Sequence, residues 1–353
     1  MIDWTKSMSH TYEFYKVDPY TWKNEKRINN IVSCKINRDE SNETLGSASF
    51  DCFEALDEMY IRTYLVANQN GVSERFPLGT HLIQTPSINF DGTKSKVSMD
   101  AYTPLIELKE NRPPIGYSIL KDMEIMPIAT EIFRGNMRAP VVGATSTEKL
   151  YNDFVANTND TWLSFGNDLI YNAKFKLALD ELGRTLFEPV QDVASLRPVY
   201  RYTTDNSSIL YPDVTNDRDL YGIPNVVEVV YSTDAGYLYA KVVNDDPNSP
   251  ISTVNRGREV VHRTTSLSVS GKPNQAYINE YAYQLLRNLS CLEHKITYKH
   301  GFIPNVRIGD CVILEYPEAG LSNVKAKVTS QSISCVTGCP VEETAVYTTK
   351  LWR

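Results

Sequence analysis

The chain has 353 residues, of which 42% are hydrophobic and 22% charged, and its formal net charge is -7. These values are typical of soluble globular proteins, and they argue against disorder, a membrane protein and charge-driven binding of nucleic acid. The length allows two or three domains. Tyrosine is abundant, with 22 residues against 11 Phe and 4 Trp, which favours sheets and contact surfaces.

The N-terminal segment MIDWTKSMSH has no apolar run after its lysine, so we expect no secretion signal and synthesis in the cytosol. No stretch of about 18 apolar residues predicts a membrane-spanning segment. Residues 1–26 are predicted to form an aromatic arm that docks on a neighbouring subunit, because rigid aromatic side chains are frequent at interfaces. Its aromatic and imidazole residues are Trp4, His10, Tyr12, Phe14, Tyr15, Tyr20 and Trp22.

Residues 27–112 alternate between apolar and polar positions in RINNIVSCKI, MYIRTYLVA and KVSMDAYTPLIEL, which predicts short antiparallel strands. Turn sequences such as NQNG separate these runs at intervals of roughly ten residues, a spacing typical of small barrels and sandwiches. Two prolines, Pro113 and Pro114, then interrupt the strand pattern. We therefore predict a first β-barrel-like domain at 27–112, completed by a strand near 225–232.

Residues 113–200 are predicted to form a helical and hairpin insertion. Apolar spacing from Ile119 to Phe133 indicates a helix that Pro127 kinks or splits. A second helix follows Asp160 as its N-cap. The runs 175–179 and 184–187 then form a hairpin through Gly183.

Residues 201–353 are predicted to form a second β-rich domain with one helix at 274–289. The polar stretch 201–219 indicates a long connection, and NDDPNSP indicates a loop. Ile278, Ala282 and Leu286 repeat at helical spacing, which predicts a buried stripe on that helix. The remaining runs alternate as strands, namely 225–231, 237–243, 292–298, 307–316, 324–335 and 344–352.

Residues capable of chemistry are scattered along the chain. The five histidines, His10, His81, His262, His294 and His300, show no i, i+4 pair that places two imidazoles beside a metal. Cys335 and Cys339 are close in sequence but lack further zinc ligands nearby. We expect all six cysteines (Cys34, Cys52, Cys291, Cys311, Cys335 and Cys339) to be reduced and no metal or cofactor to be bound.

Catalytic motifs are absent from the sequence, which contains no GxSxG, Walker or GxGxxG pattern. Carboxylate pairs such as Asp51 with Glu54, or Glu342 with Glu343, are typical of solvated acids as much as of a glycosidase. The RIGD sequence at 307–310 indicates a turn into a strand. We therefore predict no catalytic, cofactor-binding or metal-binding residues and no enzymatic activity.

The order of elements resembles the baseplate or tail hub proteins of long-tailed bacteriophages and of phage-like secretion devices. TWLSFGNDLIYNAKFKLALDELGRTLFEP carries this resemblance, followed by SSILYPD, IPNVVEVVYS, AYINEYAYQLLRN, VRIGDCVILEY and KVTSQSISC. In the first half, RFPLGTHLIQTPS and KVSMDAYTPL resemble the first barrel of such hubs.

This resemblance implies a homotrimeric structural subunit in the virion tail, assembled in the host cytoplasm. Two barrel-like domains per subunit would form a ring that joins the tail tube protein to the central spike or tip protein. Other baseplate proteins are further expected partners. The ring would surround the channel for DNA ejection, and an acidic chain suits a channel that DNA passes without binding.

Two other functions fit parts of the sequence. The tyrosine content and β pattern also suit a carbohydrate- or receptor-binding tail module, since sugars stack on aromatic faces. A peptidoglycan hydrolase is the third hypothesis. No residue can be assigned to a subunit interface from one sequence.

Overall fold

The computed structural model describes residues 2–90, 92, 95–233, 236–265 and 274–352. Strands predominate over helices in this part of the chain, so the predicted mainly β composition is confirmed. The chain divides into two compact units. The first comprises Met1–Val214 and Thr297–Ala345, and the second comprises Thr215–Ile296 and Val346–Arg353.

The N-terminal strands are β1 (Ser9–Val17), β2 (Asn24–Ile28), β3 (Ile31–Asp39), β4 (Gly46–Cys52), β5 (Tyr60–Gln69), β6 (Val72–Phe90) and β7 (Ser95–Tyr102). They are antiparallel neighbours in one sheet, in the order β3-β4-β7-β6-β5-β1-β2. A hairpin at Asn70 and Gly71, both with positive φ, joins β5 to β6 where NQNG predicts a turn.

Alternation along these strands builds the core of the sheet. Ala48, Phe50 and Cys52 are buried on β4, while the residues between them are half-buried. They pack with Ile36 of β3 and Met99 of β7 in one apolar cluster. The period of two in the sequence therefore translates directly into one buried face.

The prediction of a separate N-terminal arm is wrong. β1 pairs along its whole length with β5, from Ser9 opposite Asn68 to Val17 opposite Tyr60. The ring of Phe14 is buried and packs edge-to-face on Phe50 of the core, so it is not available to a neighbouring subunit. Aromatic residues suit a sheet face as well as an interface, and in this segment they cover the protein's own core.

The next elements are α1 (Ile106–Glu110), β8 (Ser118–Ile119), α2 (Ile125–Asn136), β9 (Val141–Val142), β10 (Phe154–Val155), α3 (Trp162–Asn172), β11 (Phe175–Leu179) and β12 (Thr185–Pro189). Helix α1 precedes the predicted insertion at 113–200, which contains α2, α3 and short strands.

Two details of the predicted helices are corrected. Pro127 does not kink α2, because the helix starts at Ile125 and the proline lies in its first turn, where backbone N–H groups have no intrahelical partner. The N-cap of α3 is Thr161 and not Asp160. Thr161 and Ser164 form a reciprocal capping box, which satisfies two N-terminal donors.

Glycine at 166 permits close packing of α3 on α2. A Cβ at this position would lie 2.4 Å from the ring of Phe133. The predicted hairpin that follows α3 is present, with Phe175 opposite Pro189 and Leu179 opposite Thr185. Its turn includes Gly183, whose φ of 74° suits glycine.

The later strands of the first unit join the N-terminal sheet. β20 pairs with β3, with Ser330 opposite Asp39 and Ser334 opposite Lys35. These elements are β13 (Pro198–Tyr202), β19 (Cys311–Tyr316), the 3₁₀ helix Pro317–Ala319 and β20 (Leu321–Ser334). Three further strands contain residues of both units, namely β14 (Leu210–Arg218), β18 (Cys291–Gly301) and β21 (Pro340–Lys350). The stretch 201–219, which the sequence predicts as a long ordered connection, contains β14.

The second unit is a three-stranded sheet with a helix on one face. Ile278, Ala282 and Leu286 of the helix pack on Val227 and Val229 of the sheet, as the helical stripe predicts. The elements of this unit are β15 (Val226–Thr233), β16 (Gly236–Val243), α4 (Thr253–Arg256), β17 (Val261–Thr264) and α5 (Gln275–Leu289).

The strand near 225–232 does not complete the N-terminal sheet, which corrects another prediction. β15 pairs antiparallel with β16, its neighbour in sequence, and parallel with β17. Local pairing closes a short loop, whereas pairing with the N-terminal strands would close a loop of more than a hundred residues at a higher entropic cost. The two compact units divide the chain after residues 214, 296 and 345, whereas the predicted domain boundaries follow residues 26, 112 and 200.

Candidate functional site

The histidine and glutamate residues considered as candidates for chemistry do not form a shared site. Among the described residues, no three His, Cys, Asp or Glu side chains are grouped so that they can hold a metal ion. His294 stacks on Tyr347 with 4.3 Å between ring centroids. Glu342 and Glu343 point to opposite faces of β21, one exposed and one buried, so they do not face one cleft together.

The close cysteine pair belongs to the core. Cys335 and Cys339 are buried free thiols in the same cluster as Cys34. Burial raises the pKa of the Cys339 thiol to about 12. The neighbouring Cys34 thiol and burial raise the pKa of Cys335. These thiols remain protonated at neutral pH, which disfavours metal binding and nucleophilic attack.

A buried polar cluster surrounds the carboxylate of Glu343. Tyr298 donates its hydroxyl to Glu343 Oε1, and the Tyr202 hydroxyl donates to the same oxygen at 3.5 Å. Gln331 Nε2 donates to Oε2 at 2.7 Å, and His300 Nε2 lies 3.5 Å from that oxygen. Burial and the Glu343 charge raise the pKa of both tyrosine hydroxyls.

The same cluster continues into a chain of charged groups. Arg38 donates to Gln331 Oε1 at 3.0 Å and lies 3.7 Å from Glu181. Glu181 in turn contacts Arg307 at 2.6 Å. Since Glu343 has no exposed surface, no substrate reaches it, and the cluster is suited to holding strands together.

The tip of the β11–β12 hairpin is the point where the insertion meets the N-terminal sheet. The carbonyl of Leu182 accepts hydrogen bonds from Trp22 Nε1 at 2.7 Å and from Arg62 at 3.0 Å. A Cβ on Gly183 would lie 2.8 Å from Thr80. We call residues 180–183 the docked turn, because polar and apolar contacts together fix it in place.

A small cavity lies beside the docked turn. Its volume is about 40 Å³, and its lining includes His81, Arg38 and Glu181. The Nδ1 atom of His81 is buried and has no hydrogen-bond partner among the described residues. Burial, together with the Arg38 charge, lowers the pKa of His81 to about 3, so this imidazole is neutral at physiological pH.

A different part of the insertion leaves apolar side chains exposed. Segments 115–123 and 151–155 are antiparallel neighbours through β8 and β10. Ile119 and Phe154 point towards the core of the insertion, whereas Leu120 and Val155 point outwards. We call the outward set the apolar face, which consists of Ile115, Leu120, Met123, Tyr151 and Val155. Exposed apolar surface of this kind is typical of protein contacts.

No protein-family model and no curated protein matches the sequence. Solved structures do match. A tail protein from Neisseria meningitidis MC58 aligns with a TM-score of 0.67 at 13% identity, over 97% of this chain and 98% of that one. The fold is that of a phage tail protein.

Two prophage proteins support the same fold. The 43 kDa tail protein of prophage MuSo2 from Shewanella oneidensis aligns with a TM-score of 0.62 at 13% identity, covering 95% of this chain and 98% of that one. Tail protein gp18 from Listeria monocytogenes EGD-e aligns with a TM-score of 0.52 at 12% identity, covering 96% and 94%. The resemblance predicted from element order is therefore confirmed for the fold.

Neither the docked turn nor the apolar face was predicted from the sequence. The docked turn depends on Trp22, Arg62 and Leu182 meeting from distant parts of the chain. The apolar face mixes Leu120 and Tyr151 with polar neighbours, so its residues resemble ordinary half-buried strand positions.

No helix in the described residues is long and apolar enough to cross a membrane.

Proposed function

We propose that this chain is a structural subunit of a phage tail, located in the baseplate hub of the virion. The observation that carries the proposal is the full-length similarity to tail proteins, which spans nearly all of both chains. In this hub the subunit forms a homotrimeric ring that joins the tail tube protein to the spike or tip protein. Its partners also include other baseplate proteins.

The acidic charge of the chain supports a ring that surrounds a DNA channel. A formal charge of -7 gives little attraction for phosphate, so DNA moves through such a ring without being retained. Two barrel-like domains per subunit would give the trimer a sixfold pseudo-symmetry that matches a tube. The subunit assembles in the bacterial host cytoplasm.

A non-enzymatic role agrees with the placement of the titratable residues. The Glu343 cluster is sealed from solvent, and Glu342 on the next position is exposed and paired with Lys299 at 3.2 Å. A zymogram on peptidoglycan is expected to stay free of any lysis band at protein levels where a control hydrolase is active.

Light scattering on the purified chain tests the hub directly. A trimer of the 40.0 kDa chain has a mass of about 120 kDa, and it should co-purify with tube and spike proteins when these are expressed together. A chain that stays monomeric at high concentration and binds no tail protein contradicts the proposal.

The receptor-binding alternative rests on exposed tyrosines. Tyr20, Tyr151 and Tyr221 are each about nine-tenths exposed, and such rings can stack on sugars. A glycan array distinguishes the two functions. Binding by the isolated chain favours the receptor module, whereas the hub predicts no glycan signal.

A further inference from the structure

The tip of the β5–β6 hairpin carries the single Asn-Gly pair of the sequence, Asn70-Gly71. Gln69 and Val72 are paired across the hairpin, so Asn70 and Gly71 alone form its loop. Both have positive φ, 51° and 79°, and both are exposed. An asparagine followed by glycine can react with the backbone nitrogen of its neighbour, because glycine has no side chain that shields this atom.

The groups needed for this reaction are accessible at the hairpin tip. The side-chain amide of Asn70 and the backbone N–H of Gly71 form no hydrogen bond within the part of the chain that the structure describes. A Cβ added to Gly71 would meet no described atom within 4 Å, so solvent reaches the reacting groups. Exposed loop tips also open locally at low cost, which allows the rotation that ring closure requires.

Two other asparagines precede serine, also a small residue, but in both cases the backbone N–H of the serine is already engaged. The N–H of Ser207 donates to the side chain of Asp205 at 2.8 Å. The N–H of Ser249 donates to the carbonyl of Asp246 at 3.0 Å, and Ser249 is itself buried. The two preceding asparagines should therefore react more slowly than Asn70.

We propose that Asn70 is a modification site that loses its side-chain nitrogen as ammonia without an enzyme. The backbone nitrogen of Gly71 gives up its proton to water and bonds to Cγ of Asn70. The Cγ–Nδ2 bond then breaks, and ammonia leaves with a proton taken from water, which completes a succinimide ring. Because the attack is intramolecular, the reactants are already held together and need no enzyme to meet.

Water then opens the ring at either of its carbonyl groups. Attack on the former side-chain carbonyl gives aspartate, whereas attack on the backbone carbonyl gives isoaspartate, which lengthens the main chain by one methylene. Both products add one carboxylate to the chain, and no atom is oxidised or reduced. Aspartate is tolerated at positive φ in hairpin turns, so the fold accommodates this product.

Incubation of the full chain in mildly alkaline water enriched in heavy oxygen tests the site. Pepsin digestion at low pH stops ring closure, and mass spectrometry of the peptides locates each converted asparagine and the oxygen taken from the solvent. Electron-transfer fragmentation separates isoaspartate from aspartate. Gly71→Asn is the matched variant, since asparagine accepts positive φ while its side chain shields the backbone nitrogen.

We expect Asn70 of the native chain to convert about tenfold faster than Asn206 or Asn248, since ring closure at these two sites first breaks a hydrogen bond. Gly71→Asn should slow the conversion of Asn70 by about tenfold. Heavy oxygen should appear in both aspartate and isoaspartate at position 70. A thermal melt checks that the variant is folded, and the comparison within the wild-type chain does not depend on it.

The proposal fails if Asn70 converts no faster than the two asparagines that precede serine. It also fails if Gly71→Asn converts at the wild-type rate, or if aspartate forms without isoaspartate, because water then attacks the amide directly. Conversion of Asn70 in urea but not in the native chain overturns it as well. In that case the folded turn holds the backbone nitrogen of Gly71 away from Cγ and protects the site.

Discussion

The docked turn and the apolar face belong to the same insertion but have opposite surroundings. At the docked turn, Leu182 and Gly183 are held against Trp22, Arg62 and Thr80 by hydrogen bonds and close packing. At the apolar face, Leu120 and Tyr151 are 63% and 88% exposed and touch little of their own chain. The difference separates residues that position the insertion from residues that remain available to a partner.

Variants of the two regions should therefore differ in whether they affect stability or assembly. Substitutions in and around the docked turn should lower the stability of the isolated chain. Substitutions on the apolar face should leave stability unchanged and weaken assembly.

Glu343→Ala should cause the largest loss of stability. It removes the acceptor shared by Tyr202, Tyr298 and Gln331, and their buried polar groups lose a partner. We expect the free energy of unfolding to fall by about 3 kcal/mol or more. Urea unfolding measures the change.

The neighbouring Glu342→Ala is the control for this change. Glu342 is exposed and forms a surface pair with Lys299, so its loss should cost less than about 1 kcal/mol. Equal losses in the two variants would mean that the buried cluster does not stabilise the fold.

Gly183→Ala tests the docked turn itself. The residue has φ of 74°, and its new Cβ would lie 2.8 Å from Thr80. We expect a loss of about 2–3 kcal/mol, from the left-handed backbone and from displacement of the turn.

Gly116→Ala separates these two causes. Gly116 has a similar φ of 79°, but a Cβ there would meet no described atom within 4 Å. Gly116→Ala should lower the free energy of unfolding by about 1–2 kcal/mol, from the left-handed backbone alone. If both alanine variants lose the same stability in urea, the turn is not tightly docked.

His81, beside the docked turn, should make stability dependent on pH. Its pKa falls from 6.5 to about 3 on folding, so the unfolded chain binds a proton more readily. Above pH 6.5 the imidazole is neutral in both states, so its burial does not lower the free energy of unfolding. As the pH falls from 6.5 towards 3, protonation of the unfolded chain lowers that free energy by up to about 1.4 kcal/mol per pH unit.

His81→Gln should therefore flatten the decline in stability between pH 6.5 and 5. The exposed His262 provides the control variant, His262→Gln, which should keep the wild-type slope. Melting temperatures over this pH range measure both slopes. A wild-type slope in His81→Gln would place the pH dependence elsewhere.

The sequence predicted the elements whose signals are local. The stripe of Ile278, Ala282 and Leu286 predicted α5, and the Asn70-Gly71 turn predicted the β5–β6 hairpin. The resemblance to tail hubs came from the order of such elements. Helix caps and hairpin turns depend on residues within a few positions, which is why they can be recognised in one sequence.

Long-range pairing could not be predicted in the same way. Nothing near Ser330 indicates that β20 pairs with β3, and β1 resembles an aromatic arm until its pairing with β5 is known. The candidate contact features have the same difficulty. Leu182 meets Trp22 and Arg62 only because the β11–β12 hairpin and the N-terminal sheet come together in the fold.

Tyr151→Asp, with Leu120→Asp, is the sharpest test of the comparison because it should leave stability almost unchanged. Both side chains are mostly exposed, so each substitution should change the free energy of unfolding by no more than about 0.5 kcal/mol. If the apolar face contacts a neighbouring tail subunit, the introduced charges should instead reduce assembly, since burying an unpaired carboxylate is costly.

Co-purification with tail proteins and light scattering measure this assembly, and Tyr221→Asp is the matched control in the second unit, where the tyrosine is equally exposed. A loss confined to Tyr151→Asp and Leu120→Asp assigns the contact to the insertion. Equal assembly by all three variants would mean that exposure alone does not mark a contact on this fold.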